Sequence, residues 1–245
     1  MIAVRKRAFA ALLALVPAAG LLLGAPAQAA DLDITVKSVT LSKSTLVLGS
    51  KAGCGIVNFT AVLSAPLPST GTEFAGVGVD VHEPGTGDVI AGEQFTQVGS
   101  TATYKGAVKI CGQYTAGRYR ADVYGVVAPK TGDYQTTNTV SKSIYLKRPS
   151  TLTLNATPEP VVKGKKLTAK GVLKVNGKAL SGTAVKIYFK ATGVSTYTYK
   201  GAAKTNAKGV YTKAFTATKS GVWKAVYVGG NARNAASAVD AVKVK

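Results

Sequence analysis

The chain holds one histidine, His82, within DVHEPGTGD (80–88). In an extended segment residues i and i+2 share a face, so Asp80 and His82 stand together and Glu83 turns away. Asp88, across the Pro-Gly-Thr-Gly turn, could supply a third ligand, and an imidazole with two carboxylates is a set that a divalent metal accepts. A metal site needs ligands that converge, however, and a solvated hairpin with ordinary polar decoration explains the same letters. That second reading is the expectation: no metal and no cofactor. Any histidine-based triad must be built on this one residue. No pair of acids falls where a fold would force them together, as glycoside hydrolysis requires. No glycine-rich loop runs from a strand into a helix to cradle a phosphate. The chain is therefore expected not to be an enzyme.

Two further features carry chemistry. Cys54 and Cys111 are the only cysteines, and an even count in an exported chain reads as a disulfide. The other feature is charge. The chain carries 31 Lys and Arg against 11 Asp and Glu, a net charge of +20. Residues 31–149 contribute 11 basic and 9 acidic residues; residues 150–245 contribute 17 and 2. This asymmetry points to an anionic partner for the second part. Lysines far outnumber arginines there, and arginine is the better reader of bases and phosphates. With no recognition helix or zinc motif either, specific binding of nucleic acid is not expected.

The elements that must position these residues begin after a leader. Arg5, Lys6 and Arg7 precede an apolar stretch from Phe9 to Leu23, and Ala27-Gln28-Ala29 offers small residues for cleavage after Ala29. Residues 1–29 thus have the form of a secretory signal peptide and are set aside from the fold. The apolar run is short for a membrane span. No transmembrane segment is expected in the mature chain, which is placed outside the cell, free or associated with the wall. From residue 31 onward no helical period lasts three turns. Val, Thr and Tyr with frequent Gly predict strands and turns, and the fold class expected is all-β. One phrase occurs twice, as GRYRADVYG (117–125) and GVWKAVYVG (221–229). The openings VTLSKSTLVLGSK (39–51) and LTLNATPEPVVKGKK (152–166) also correspond, as do the closing strands TVSKSIYL (139–146) and AVDAVKVK (238–245). With Pro149-Ser150 as the boundary, the sequence predicts two modules, 31–149 and 150–245, each a sandwich of short strands.

In immunoglobulin-like sandwiches a tyrosine near the start of strand F packs at a corner, two residues before a position often held by Cys. Tyr119 stands two residues before Ala121, and Trp223 two before Ala225. Both are read as structural corner residues, although Trp223 lacks the hydroxyl for the corner bond. Gly117 and Gly221 are expected to supply backbone angles that favour glycine. The segments VVKGKKLTAKGVL (161–173), KTNAKGVYTKAF (204–215) and SGVWKAVYVG (220–229) resemble, in turn, the passage from strand A′ to B, the start of strand E and this corner. On these motifs the chain resembles the tandem bacterial Ig-like domains of secreted and cell-surface proteins, especially actinobacterial ones. The resemblance covers 150–245 more fully than 31–149. It implies two antiparallel Ig-like β-sandwiches. Such modules serve as spacers, adhesins and carbohydrate-binding accessories and share no catalytic residues.

On that fold strand B (54–63) and strand E (102–110) are antiparallel neighbours, so Cys54 and Cys111 meet at one pole and staple it. In the second module strand C, VKIYFK (185–190), turns Val185, Ile187 and Phe189 inward and Lys186, Tyr188 and Lys190 outward. Strand F turns Lys224 outward, and the last strand Lys243 and Lys245. Strands C, F and G share a sheet. The candidate ligand-binding residues are therefore Lys186, Tyr188, Lys190, Lys224, Lys243 and Lys245. Their ammonium groups attract phosphate or carboxylate in a salt-sensitive way, and the tyrosine can stack on a sugar. KLTAKGVLK (166–174) also sends lysines outward, on the opposite sheet, a pattern that solubility and edge protection produce. The expected function is that of a secreted, non-enzymatic binding or adhesion protein of the cell envelope. Its basic second module attaches to an anionic cell-wall polymer or acidic polysaccharide. The alternative is an interaction or inhibitor protein whose first module grips a protein partner through a loop such as APKTGDYQTTN (128–138).

Overall fold

Valine, threonine and tyrosine alternating with lysine and serine make the pattern of a half-buried strand. The computed structural model of the chain describes residues 30–51 and 53–245, and its regular elements there are all strands. The expected leader, 1–29, lies outside the described residues. The chain divides into two compact units between Leu146 and Lys147. Arg148 is already tied into the second unit: its N–H donates to the Ala232 carbonyl and its carbonyl accepts from the Asn234 N–H, both at 2.9 Å.

The first unit comprises β1 (Ala30–Asp31), β2 (Val36–Leu41), β3 (Thr45–Val47), β4 (Cys54–Leu63), β5 (Thr72–His82), β6 (Val89–Gln94), β7 (Thr96–Gln97), β8 (Thr103–Cys111), β9 (Gly117–Pro129), β10 (Gln135–Thr136) and β11 (Val140–Lys147). One sheet runs β2–β4–β8–β7. In the other, β5 pairs with β6 and β9, and β9 is followed by β11 and β3. Alternate residues of both sheets face each other in one core, with Val57, Phe59 and Val108 from the first and Val79, Tyr119 and Ile144 from the second. The register of β4 on β8 sets Cys54 directly opposite Cys111, and the two are disulfide-bonded with Cα atoms 3.9 Å apart. One step further out the Gly112 N–H donates to the Gly53 carbonyl. The cysteines therefore occupy a non-hydrogen-bonded pair, where opposed side chains stand closest. The bond closes the end of one sheet, as the sequence predicts, and does not cross the core.

The second unit comprises β12 (Ser150–Leu152), β13 (Asn155–Thr157), β14 (Lys166–Val175), β15 (Lys178–Ala179), β16 (Ala184–Ala191), β17 (Thr198–Lys204), β18 (Val210–Thr216), β19 (Gly221–Tyr227) and β20 (Ala236–Val242). In one sheet β14 pairs with β12, β13, β15 and β18; the other runs β17–β16–β19–β20. Val161 bridges in parallel to Val244 just past β20. Leu167, Leu173 and Tyr211 pack against Val185, Ile187 and Trp223. The fold class is thus all-β, two antiparallel Ig-like β-sandwich units.

The repeated phrase opens β9 and β19, the third strand of its sheet in each unit. Tyr119 is fully buried, and its hydroxyl donates to the Thr115 carbonyl at 2.5 Å, four residues upstream. Trp223 packs instead between Phe189 and Phe215, with ring centroids 4.9 and 4.5 Å away. In the second unit Tyr211 on β18 is buried, and its hydroxyl donates to the Thr153 carbonyl at 2.6 Å; burial pushes this phenol's pKa up. The expected role of the corner glycines is corrected, since neither Gly117 nor Gly221 has a positive φ. They are required by closeness. A Cβ on Gly117 would stand 2.8 Å from Cγ of Pro84, and one on Gly221 would press on the Lys190 carbonyl and the Phe189 ring. Tyr119→Phe is expected to destabilise the first unit by about 1 kcal/mol, the net worth of one hydrogen bond, read as a lower urea midpoint at unchanged slope.

Candidate functional site

The outer face of the β17–β16–β19–β20 sheet carries most of the predicted ligand-binding residues. Antiparallel partners share a face, so the register builds rows. Lys186 stands opposite Val226, and Val226 opposite Ser237. Tyr188 stands opposite Lys224, and Lys224 opposite Val239. Lys190 stands opposite Val222, and Val222 opposite Ala241. Lys186, Tyr188, Lys190 and Lys224 are thus brought together. Lys243 lies just past β20 and walls, with Lys190 and Glu159, a shallow cavity of about 460 Å³ at the margin. Val244 packs against the core, and Lys245 beyond it is exposed. It lies beyond Gly221, the first residue of β19, and its N–H donates to the Val161 carbonyl at 2.9 Å. Beyond Val242 the chain stays beside the start of β19, with the Ser220 hydroxyl bonded to the N–H and carbonyl of Val244, and its other edge pairs with the 161–163 segment.

The face holds two residues that sequence reasoning missed. A register shift between Ile187 and Tyr188 places Tyr199 opposite Tyr188, and the two rings meet edge-on at 5.5 Å. Tyr199 is 54% exposed. Tyr197 lies two residues before it, and the ammonium groups of Lys190 and Lys224 each stand 5.2 Å from its ring centroid. Both distances fall within cation–π range. One ring therefore gathers two cations beside a pair of tyrosines. The signal was the alternation in STYTYK (195–200), which puts Tyr197 and Tyr199 on one face. The two acids of this unit hardly offset the charge. The Asp240 carboxylate accepts from the Ala156 N–H at 2.6 Å, and only Glu159 reaches the margin of the face. Lys166, Lys170 and Lys174 are exposed on β14, in the opposite sheet, as expected.

The histidine neighbourhood is organised differently. Asp80 and His82 share a face of β5 opposite Asp122 and Arg120 of β9. His82 Nδ1 lies 2.9 Å from the Gly87 carbonyl, and Nε2 lies 3.1 Å from an Asp122 oxygen. Asp122 also accepts from Arg120 Nε at 2.9 Å and from the Ser141 hydroxyl at 2.7 Å. Asp80 accepts from the Tyr124 hydroxyl at 2.8 Å. Burial first, and then the bond to and charge of Asp80, push the Tyr124 phenol above its usual range, so it stays a donor. These groups satisfy one another. Among the described residues no group of three or more His, Cys, Asp or Glu side chains could hold a metal ion. Strand alternation in RYRADVY (118–124) was the signal that set Arg120, Asp122 and Tyr124 on this face. No helix among the described residues is long and apolar enough to cross a membrane.

No known family matches the sequence, and no curated protein does. Solved structures show distant likeness. An α2-macroglobulin of Salmonella, reacted with methylamine, is 12% identical over 93% of this chain, at a TM-score of 0.37. The chain spans only 16% of that protein's length. The fibronectin(III)-like modules of Clostridium thermocellum CbhA are 16% identical, covering 84% of this chain and 95% of theirs, at a TM-score of 0.32. The D00-D0 domain of intimin is 14% identical, covering 85% and 100%, at 0.29. The strand pairing described above, not these likenesses, defines the fold.

Proposed function

We propose that this chain is a secreted, non-enzymatic binding protein of the cell envelope whose second unit attaches to an anionic polymer. The observation that carries the reading is the Tyr197 ring with Lys190 and Lys224 both over it, beside the Tyr188–Tyr199 pair. Two cations gathered on one ring favour a phosphate or carboxylate, and the exposed Tyr199 ring beside half-buried Tyr188 offers a surface to the sugar or glycerol units between charges. The remaining lysines add long-range attraction. The first unit then serves as a stapled spacer or presents a surface of its own.

The test is binding of the chain to a poly(glycerol phosphate), an acidic polysaccharide, DNA and a neutral glycan across a salt series. Selective binding that survives moderate salt is expected. It should weaken roughly tenfold in Lys190→Gln with Lys224→Gln, and similarly in Tyr188→Ala with Tyr199→Ala, since two contacts of about 0.5–1 kcal/mol each amount to that factor. Equal, steeply salt-dependent binding to every polyanion, unchanged by these substitutions, would reduce the face to bulk charge. No binding at all would sink the proposal.

A further inference from the structure

The inner side of the same unit has an opening that the proposed function does not use. Its sandwich is incompletely filled between β17 and β18. On β17 the residues that alternate with outward Tyr197 and Tyr199 are Thr198 and Lys200, too short or too polar to plug the gap. A cavity of about 420 Å³ results. Its apolar wall is the Phe189–Trp223–Phe215 cluster, and its rim carries Lys200 and Lys219 and no acid. Half-exposed Val194 stands at the mouth.

We propose that this cavity binds a small aromatic acid. Its volume lies within the roughly 300–1,000 Å³ typical of small-molecule pockets. Three tilted rings in contact present faces and edges to a fourth, which prefers offset or edge-on packing at about 4.5–7 Å. Phe189 and Phe215 are only partly buried, so a ring seated there removes further apolar area from water. Lys200 and Lys219 select the charge. A neutral compound of the same shape leaves both ammonium groups in water and forgoes the charge-assisted bonds. The site is distinct from the tyrosine face, because β17 sends alternate residues to opposite sides of the sheet.

Trp223 is the only tryptophan in the chain, so its fluorescence reports on this cavity alone. The full chain is titrated with 3-phenylpropionate and, in parallel, with the neutral 3-phenylpropanol. A saturable change is expected with both, the acid binding roughly tenfold more tightly or better, as charge-assisted hydrogen bonds allow. Lys200→Ala with Lys219→Ala, both on exposed side chains, should abolish the preference and leave the alcohol unchanged. Thr198→Phe should fill the space and remove both responses. Absence of saturation, equal binding of acid and alcohol, or an undiminished response in Thr198→Phe would each overturn the proposal. None of these outcomes bears on the polymer-binding face, whose titrations use other residues.

Discussion

Replacing Cys54 and Cys111 together with serine should lower the stability of the first unit by about 4 kcal/mol, the chain-entropy value for a closed loop of this size. The cysteines are 57 residues apart in sequence. Two features make the entropic term dominate. Cys54 is exposed and Cys111 half-buried, so the substitution opens no core cavity. The two strands also remain paired along their length, from Cys54–Cys111 to Val62–Thr103, so the folded register does not depend on the covalent bond. What changes is the freedom of the unfolded chain. The loss corresponds to a thermal midpoint lower by about 15 °C for a unit of this size. Hydrogen exchange read by mass spectrometry is the measurement, because it assigns the change to peptides. Those of β4 and β8 should lose protection, while those of β14 and β18 keep theirs. A loss below about 1 kcal/mol would mean that the unfolded chain already holds these segments close.

The disulfide was legible in the sequence because it depended on two local facts, a cysteine opening one strand and another closing its neighbour. The all-β class was legible for a similar reason, since alternation is a property of each strand by itself. The corner was half legible. GRYRADVYG and GVWKAVYVG marked where strands begin, and Tyr119 makes the bond its position implied. The glycines were misread because a glycine demanded by a neighbour's closeness and one demanded by φ look the same in sequence. Pro84 against Gly117 and the Lys190 carbonyl against Gly221 are visible only once distant segments meet.

The binding face shows the same division. Outward lysines on β16 and β19 followed from alternation, and the register then set them in rows. Alternation sets Tyr197 and Tyr199 on one face, but what Tyr199 stands opposite depends on the shift at Ile187/Tyr188, where Lys200 is the extra residue beside Gly201. The cavity beside Trp223 was illegible for a further reason. It forms where Leu167, Phe189, Thr198, Phe215 and Trp223 meet from five different strands, and no one segment shows that meeting in its letters.

Trp223→Ala is the second change expected to have a large effect, about 3 kcal/mol on the second unit, at the lower end of the range for deleting a buried aromatic. Trp223 is 5% exposed and is the ring that both Phe189 and Phe215 touch. Removing it takes away both aromatic contacts and the largest apolar side chain of a core that has no disulfide to limit its unfolded state. The cost stays at the lower end because the vacated space joins the existing cavity. Water can enter it, so the enlarged void need not stay empty. Trp223→Phe should cost less, because it keeps a ring between the two phenylalanines. The fluorophore is lost in both variants, so unfolding is followed in urea by far-ultraviolet circular dichroism, with hydrogen exchange of β16 and β19 peptides to localise the change. A cost under 1 kcal/mol in Trp223→Ala would show that the sandwich closes without this ring.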